Sequence, residues 1–314
     1  MTRHLILTTA IIGMAASLAG AQGGGRGAAQ GITRGADQPN QNKWNATGPW
    51  GKTERSGPLE AQRKDPFKLF DNVHYVGLQT VSTYLVTTSA GPVLIDSGYA
   101  QTVDWLLDSI RKSGVDPATI RYVFVTHAHL DHVGGAARIK QLSGARVALS
   151  ADDWAVVEQQ QNNPQQSQNV PPLARDLVLK DAEAVTVGDA TFKFYITPGH
   201  TPGATSVEFQ VRDRGRSYRA VIPGGLGLQY APEWGPAFKK SIERLRQLGP
   251  WDVALGNHPF LAPKDGEQVE RELASRGANA PHPGVLGAAA INTFFDQILA
   301  IVNEKLVAEP PTSQ

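Results

Sequence analysis

His127, His129, Asp131 and His132 fall within six consecutive residues, in the run Thr126-His127-Ala128-His129-Leu130-Asp131-His132. Two further histidines stand in short segments framed by glycine and proline, Pro198-Gly199-His200-Thr201-Pro202-Gly203 and Gly256-Asn257-His258-Pro259. Of the eight histidines in the chain, five are in these three segments. Imidazole nitrogen and carboxylate oxygen together suit zinc or a similar borderline cation, and six such donors are enough for two ions. Successive side chains of a strand alternate between faces, and those of a helix spread around its axis. Four donors this close in sequence can aim at a common region only from an irregular loop. Solvated surface histidines are the simplest alternative. They would explain a lone His-x-His well, and three such loops poorly.

The elements around these loops are those that could bring them together. Tyr122 to Val125 reads as a buried strand feeding the first loop, Thr191 to Ile196 feeds the second, and Asp252 to Leu255 feeds the third. Earlier, Val73-His74-Tyr75-Val76, Thr83 to Thr87 and Pro92 to Asp96 are short strand-like runs, the last ended by Ser97-Gly98. Val185 to Val187 is another. Ser206 to Val211 and Tyr218 to Ile222 read as a hairpin around Asp213-Arg214-Gly215. Helical spacing covers Val103 to Lys112, Gly134 to Leu142, Asp152 to Gln160 (with Ser150 or Asp152 as cap), Pro236 to Leu248 and Ile291 to Val307. Asn162 to Pro172 is a polar loop. The order strands, helices, strands, helices predicts two sheets packed face to face with helices outside. The histidine loops then lie along one edge of the sheets.

Composition bounds the partners. A formal net charge of +1 gives no reason to expect nucleic acid or an acidic membrane surface. The absence of cysteine excludes disulfides, a thiolate nucleophile and a cysteine zinc ligand. Arg3, the apolar stretch Leu5 to Leu18 and the small-residue site Ala19-Gly20-Ala21 predict a cleavable secretory signal over residues 1–21. Export to a bacterial periplasm is therefore expected, with no membrane association after cleavage. Residues 22–62, rich in Gly, Gln, Asn, Arg and Pro, read as a flexible lead whose Trp44 and Trp50 could dock onto the folded domain, residues 63–314. Of the remaining histidines, His4 leaves with the signal, His74 is expected to be structural, and His282, beside prolines, to be on the surface.

The first histidine loop resembles the signature of the metallo-β-lactamase superfamily, and the order of the later loops fits it. The resemblance spans about Phe67 to Phe260, and more loosely the C-terminal helix. It is nearest to the third subclass of class B metallo-β-lactamases, through Phe67 to Val76 and Thr197 to Gly203. It implies an α/β fold, the αββα sandwich, and two zinc ions per chain. By resemblance, His127, His129 and His200 bind the first zinc, and Asp131, His132 and His258 the second. Asp131 and His129 would be the catalytic residues, Asp131 by orienting a zinc-activated hydroxide and passing on a proton. Asp96 resembles a supporting aspartate that holds a ligand imidazole or the signature loop. Thr201 and Thr205 read as loop hydrogen-bonders.

The chain also departs from the family. Many superfamily hydrolases carry a metal-bridging aspartate after the hairpin strand. Here the stretch is Ile222-Pro223-Gly224-Gly225-Leu226-Gly227-Leu228. The third subclass lacks that aspartate too, but it usually offers serines to the substrate carboxylate where this chain has Gly225 and Gly227. Gln79, Thr80, Gln229, Tyr230 and Trp234 are the other candidate pocket residues. Three functions follow: a zinc hydrolase opening a β-lactam amide; a related hydrolase of lactones, thioesters or other amides; and a non-catalytic metal-binding protein of the periplasm. The first two take a small-molecule substrate, a β-lactam or another cyclic amide or ester.

Overall fold

A computed structural model describes residues 58–163, 170–227 and 234–308. The expected signal, most of the expected lead with Trp44 and Trp50, the centre of the 162–172 stretch, Gln229 and Tyr230 lie outside the described residues. Seven strands form one sheet in chain order: β1 (Phe67–Phe70), β2 (Val73–Tyr75), β3 (Tyr84–Val86), β4 (Val93–Ile95), β5 (Tyr122–Phe124), β6 (Arg146–Ser150) and β7 (Leu177–Leu179). Pairing is antiparallel from β1 to β4 and parallel from β4 to β7. The second sheet holds β8 (Ala184–Val187), β9 (Ala190–Ile196), β10 (Thr205–Asp213), β11 (Arg216–Ile222) and β12 (Val253–Ala254), in the order β12-β11-β10-β9-β8. Only its β11–β12 pair is parallel.

The two-residue period of a strand sorts side chains into layers. In β4, Val93 and Ile95 face the second sheet, where they meet Phe192, Phe194, Val207 and Phe209 in one buried cluster. Leu94 faces the other way, into a cluster with Leu106, Leu107 and Ile110 of α1 (Val103–Lys112), Ile139 of α3 (Ala136–Ser143) and Trp154 and Val157 of α4 (Ala151–Asn162). The short α2 (Leu130–Val133) carries part of the first histidine loop. On the outer face of the second sheet, Tyr195 and Val221 pack with Phe238, Ile242 and Leu245 of α5 (Gly235–Leu248). Phe294, Phe295 and Ile298 of the final helix α7 (Gly287–Ala308) complete that cluster, while α6 (Gly266–Ala274) packs by β1. The layers are helix, sheet, sheet, helix, as the sequence predicts.

Several elements differ from the sequence reading. β1, β7, α6 and the short α2 are additional, and the helix expected from Gly134 to Leu142 is α3, which starts two residues later, at Ala136, and ends at Ser143. Leu59–Gln62, inside the segment read as a flexible lead, forms a 3-10 turn with Leu59 and Gln62 buried. His282 is not on the surface. It is buried, stacks on Phe70 at 3.9 Å between ring centroids, and its Nε2 lies 2.7 Å from the Leu69 carbonyl. A long-range partner on β1 covers it, which flanking prolines could not reveal. His74 sits in β2 opposite Lys68 and Leu85, away from the other histidines, in keeping with a structural role.

Candidate metal centre

The three histidine loops leave the C-terminal ends of β5, β9 and β12, which lie on one edge of the sandwich. There the side chains gather into two groups, His127–His129–His200 and Asp131–His132–His258, with the donor atoms of each within 4.8 Å of one another. In the first group the Nε2 atoms of His127 and His200 are 3.2 Å apart. In the second, the Nε2 atoms of His132 and His258 are 3.3 Å apart, and Asp131 Oδ2 lies 3.4 Å and 3.7 Å from them. Two nitrogens bound at tetrahedral angles to a zinc ion, with Zn–N of about 2.0–2.1 Å, would stand about 3.3 Å apart. The spacing of both groups fits a cation at the centre of each.

The outward nitrogens support the same arrangement. His132 Nδ1 faces Asp96 Oδ2 at 2.8 Å, and His258 Nδ1 faces the Thr80 carbonyl at 2.7 Å. His200 Nδ1 contacts the Gly227 carbonyl, and His127 Nδ1 is 3.0 Å from Thr126 Oγ1. These acceptors favour the tautomer with the proton on Nδ1, which leaves the Nε2 lone pair aimed inward. Asp96 directly follows β4 and is almost wholly buried. Its carboxylate accepts from Thr126 N at 2.7 Å and Thr126 Oγ1 at 2.9 Å as well as facing His132. The Thr126 hydroxyl can therefore donate to Asp96 while accepting from His127. One carboxylate thus reaches both groups, directly at His132 and through Thr126 at His127. The His132 carbonyl in turn accepts from the Ser97 amide at 2.8 Å and the Ser97 hydroxyl at 2.7 Å.

The two groups differ electrostatically. Burial and then the neighbouring imidazoles push the His127 pKa well below the usual histidine range, so this ring is neutral. Burial also works against a charged His132, but the Asp131 and Asp96 carboxylates outweigh it and hold its pKa up to about 10. A cation in the second group would replace that proton as the partner of the two carboxylates.

Of the expected pocket residues, Thr80 lies against the second group, but through its carbonyl on His258, while its hydroxyl contacts Gln62. The Gln79 amide donates to the Gln62 carbonyl at 2.9 Å, and Trp234 is partly buried just before α5. Gly225 and Gly227 both border the His200 ring. The Thr205 hydroxyl donates within its own loop, to the Gly203 carbonyl at 3.0 Å, whereas the Thr201 hydroxyl donates to Asp153 of α4. Sequence reading did not single out Thr126 or Asp153. Asp153 is buried, which raises its carboxyl pKa to about 6, and it joins the first two histidine loops. The only sequence signal at Asp153 is an acidic residue in the first turn of a helix, which is commonplace.

The sequence profile of the Metallo-beta-lactamase superfamily matches residues 76–214. Hydroxyacylglutathione hydrolase of Pseudomonas paraeruginosa is 36% identical over 117 residues, which are 37% of this chain and 36% of that protein. The counterpart in Cereibacter sphaeroides is 27% identical over 140 residues, 45% of this chain and 49% of that protein. The chain thus spans between about a third and a half of the length of these curated relatives. Among solved structures, BJP-1, a subclass B3 metallo-beta-lactamase of Bradyrhizobium japonicum, superposes with a TM-score of 0.69 at 27% identity, over 79% of this chain and 95% of that one. Native FEZ-1 metallo-beta-lactamase from Legionella gormanii gives 0.70 at 26% identity, over 79% and 97%. Residues 76–214 thus match the metallo-β-lactamase superfamily, and subclass B3 metallo-β-lactamases are among the structural neighbours of the chain.

Proposed function

We propose that this protein opens the amide of β-lactams with two zinc ions, one held by His127, His129 and His200 and the other by Asp131, His132 and His258. The observation that carries this reading is the stretch after β11. A Cβ on Gly224 would stand 2.6–2.9 Å from the Thr205 backbone, and one on Gly225 would stand 2.3 Å from His200 Cδ2. Neither position has room for the bridging carboxylate of many superfamily hydrolases, in keeping with the third β-lactamase subclass that the sequence resembles, which lacks it too. Similarity to subclass B3 structures over nearly their whole length also supports it.

When bound, such cations supply Lewis acidity, which lowers the pKa of water and polarises a carbonyl. The chain's own residues do the positioning. Asp96 and Thr126 hold His132 and His127 with their Nε2 atoms inward, and the Thr80 and Gly227 carbonyls do the same for His258 and His200. Asp131 Oδ2, beside His132 and His258, is placed to orient the attacking water and carry its proton to the leaving nitrogen. Gly225 and Gly227 offer backbone amides but no hydroxyl to a substrate carboxylate. Arg3, Leu5 to Leu18 and Ala19-Gly20-Ala21 support export of the enzyme to the periplasm.

A second reading, hydrolysis of a thioester or lactone, is favoured by the missing hydroxyls and by the local 36% identity to a hydroxyacylglutathione hydrolase. Turnover of a chromogenic cephalosporin, a hydroxyacylglutathione thioester and a lactone, each with and without chelator, separates the two. Chelator-sensitive turnover of the cephalosporin is expected to dominate. Faster thioester or lactone turnover would transfer the assignment, and turnover indifferent to the chelator would sink the metal mechanism. Zinc content without turnover of any of them would favour a non-catalytic metal-binding protein.

A further inference from the structure

The two loops that supply the first group are 73 residues apart in sequence, from His127 to His200, and α4 lies against both. The Ala128 amide, between His127 and His129, donates to Asp153 Oδ2 at 2.8 Å. The Ala128 carbonyl accepts from Gln160 Nε2 at 3.0 Å. One helix therefore holds both polar backbone groups of the residue between two histidines, from two side chains two turns apart. The same Asp153 reaches the second loop. Its Oδ2 accepts from Thr201 Oγ1 at 2.8 Å and its Oδ1 from the Gly203 amide at 2.8 Å. Ser150, which caps the helix, donates to the Gly203 carbonyl at 2.7 Å. A Cβ on Gly203 would stand 2.0 Å from Ser150 Oγ, so the turn packs directly on the helix start. Asp153 and Gln160 are 1% and 2% exposed, so water does not compete for these bonds.

We propose that Asp153, assisted by Gln160, is a positioning residue that sets the spacing of His127, His129 and His200 and thereby the affinity of that group for its cation. The inference rests on the metal reading above and adds a selectivity to it. Asp153 makes no contact with Asp131, His132 or His258 among the hydrogen bonds of the described residues, so its loss is felt at one group and not the other. In Asp153→Asn one carboxylate oxygen becomes an amide donor. An amide NH2 accepts nothing, so at the Oδ2 position it fails both the Ala128 amide and the Thr201 hydroxyl, and at the Oδ1 position it faces the Gly203 amide, donor to donor.

The test is zinc and cobalt titration of the full-length protein against a chromophoric chelator, for the natural chain, Asp153→Asn and the milder Thr201→Val. The natural chain is expected to bind two equivalents. Asp153→Asn should weaken one of them by about 10- to 100-fold, the range for lost outer partners of metal ligands. The other equivalent should stay within about 2-fold, and Thr201→Val should shift the same equivalent by less. In the cobalt form, the absorption bands of that equivalent alone should change. Two unchanged equivalents, or equal weakening of both alongside a lower melting temperature, would make Asp153 merely structural and overturn the proposal. If Asp153→Asn fails to fold, Thr201→Val decides by the same criteria. Absence of cation binding in the natural chain would overturn the metal reading and this inference with it.

Discussion

Gly225→Ser puts back the hydroxyl that the third subclass usually places in this stretch, and by resemblance alone it should improve β-lactam turnover. The structure predicts the opposite. The added Cβ would lie 2.3, 2.5 and 2.7 Å from Cδ2, Cγ and Cβ of His200, where 3.4 Å is the near edge of ordinary contact. The ring or the loop must move by about 1 Å, the difference between 3.4 and 2.3. His200 cannot yield freely, because its Nδ1 is held by the Gly227 carbonyl and its Nε2 faces His127. Overpacking of this kind costs about 1–3 kcal/mol of stability. A displacement of about 1 Å in a catalytic group can cost about 100-fold in rate. Gly227→Ser is the internal control. Its Cβ would meet His200 Cε1 at 3.2 Å and Nδ1 at 3.5 Å, which a shift of a few tenths of an ångström relieves. Measured with a chromogenic cephalosporin, kcat/KM should fall by about two orders of magnitude in Gly225→Ser, with a lower melting temperature. Gly227→Ser should stay within a few-fold of the natural chain. A Gly225→Ser enzyme that is as stable and as active as the natural one, or more active, would show that the packing of His200 against this glycine does not constrain the site.

Other expectations follow from the same geometry. Asp96→Ala strips the partner from the Thr126 amide, the Thr126 hydroxyl and His132 Nδ1; at about 1–3 kcal/mol per buried unsatisfied group it should destabilise the fold by several kcal/mol. Chemical denaturation checks this, and an unchanged midpoint would remove Asp96 from its structural role. Asp213 and Arg276 form a two-pronged ion pair, both contacts 2.8 Å, with 11% and 9% of their side chains exposed. Arg276 holds the Asp213 pKa below its ordinary value. A depressed carboxylate pKa stabilises the fold fully above the unfolded value of about 3.9 and progressively less as pH falls through the folded value. Asp213→Asn should therefore cost about 3 kcal/mol at neutral pH and less at pH 3, with catalysis unaffected because the pair lies at the β10–β11 turn. Equal losses at both pH values would contradict the pairing.

The fold was legible because its signals are local. The unbroken apolar run Val93-Leu94-Ile95 states that both faces of the strand are covered, and a turn at Arg214-Gly215 states a hairpin. β7 was not legible, since Leu177–Leu179 is three residues long and acquires its strand identity from pairing with β6. The same limit applies at His282, whose burial depends on Phe70 and the Leu69 carbonyl more than 200 residues earlier.

For the site, residue types and spacing already determined which donors are available, because imidazole and carboxylate chemistry belongs to the side chain wherever it stands. The grouping into threes by resemblance matches the groups the fold assembles. What the chain order leaves open is everything that depends on long-range approach. The tautomers are set by Asp96, Thr126 and the carbonyls of Thr80 and Gly227, and the empty Cβ position of Gly225 is filled by the His200 ring. A carboxylate such as Asp153 reads as an ordinary first-turn residue until the packed helix puts it between two loops. Distances of this kind come from the packing of two sheets and four layers, and no local pattern of residues encodes them.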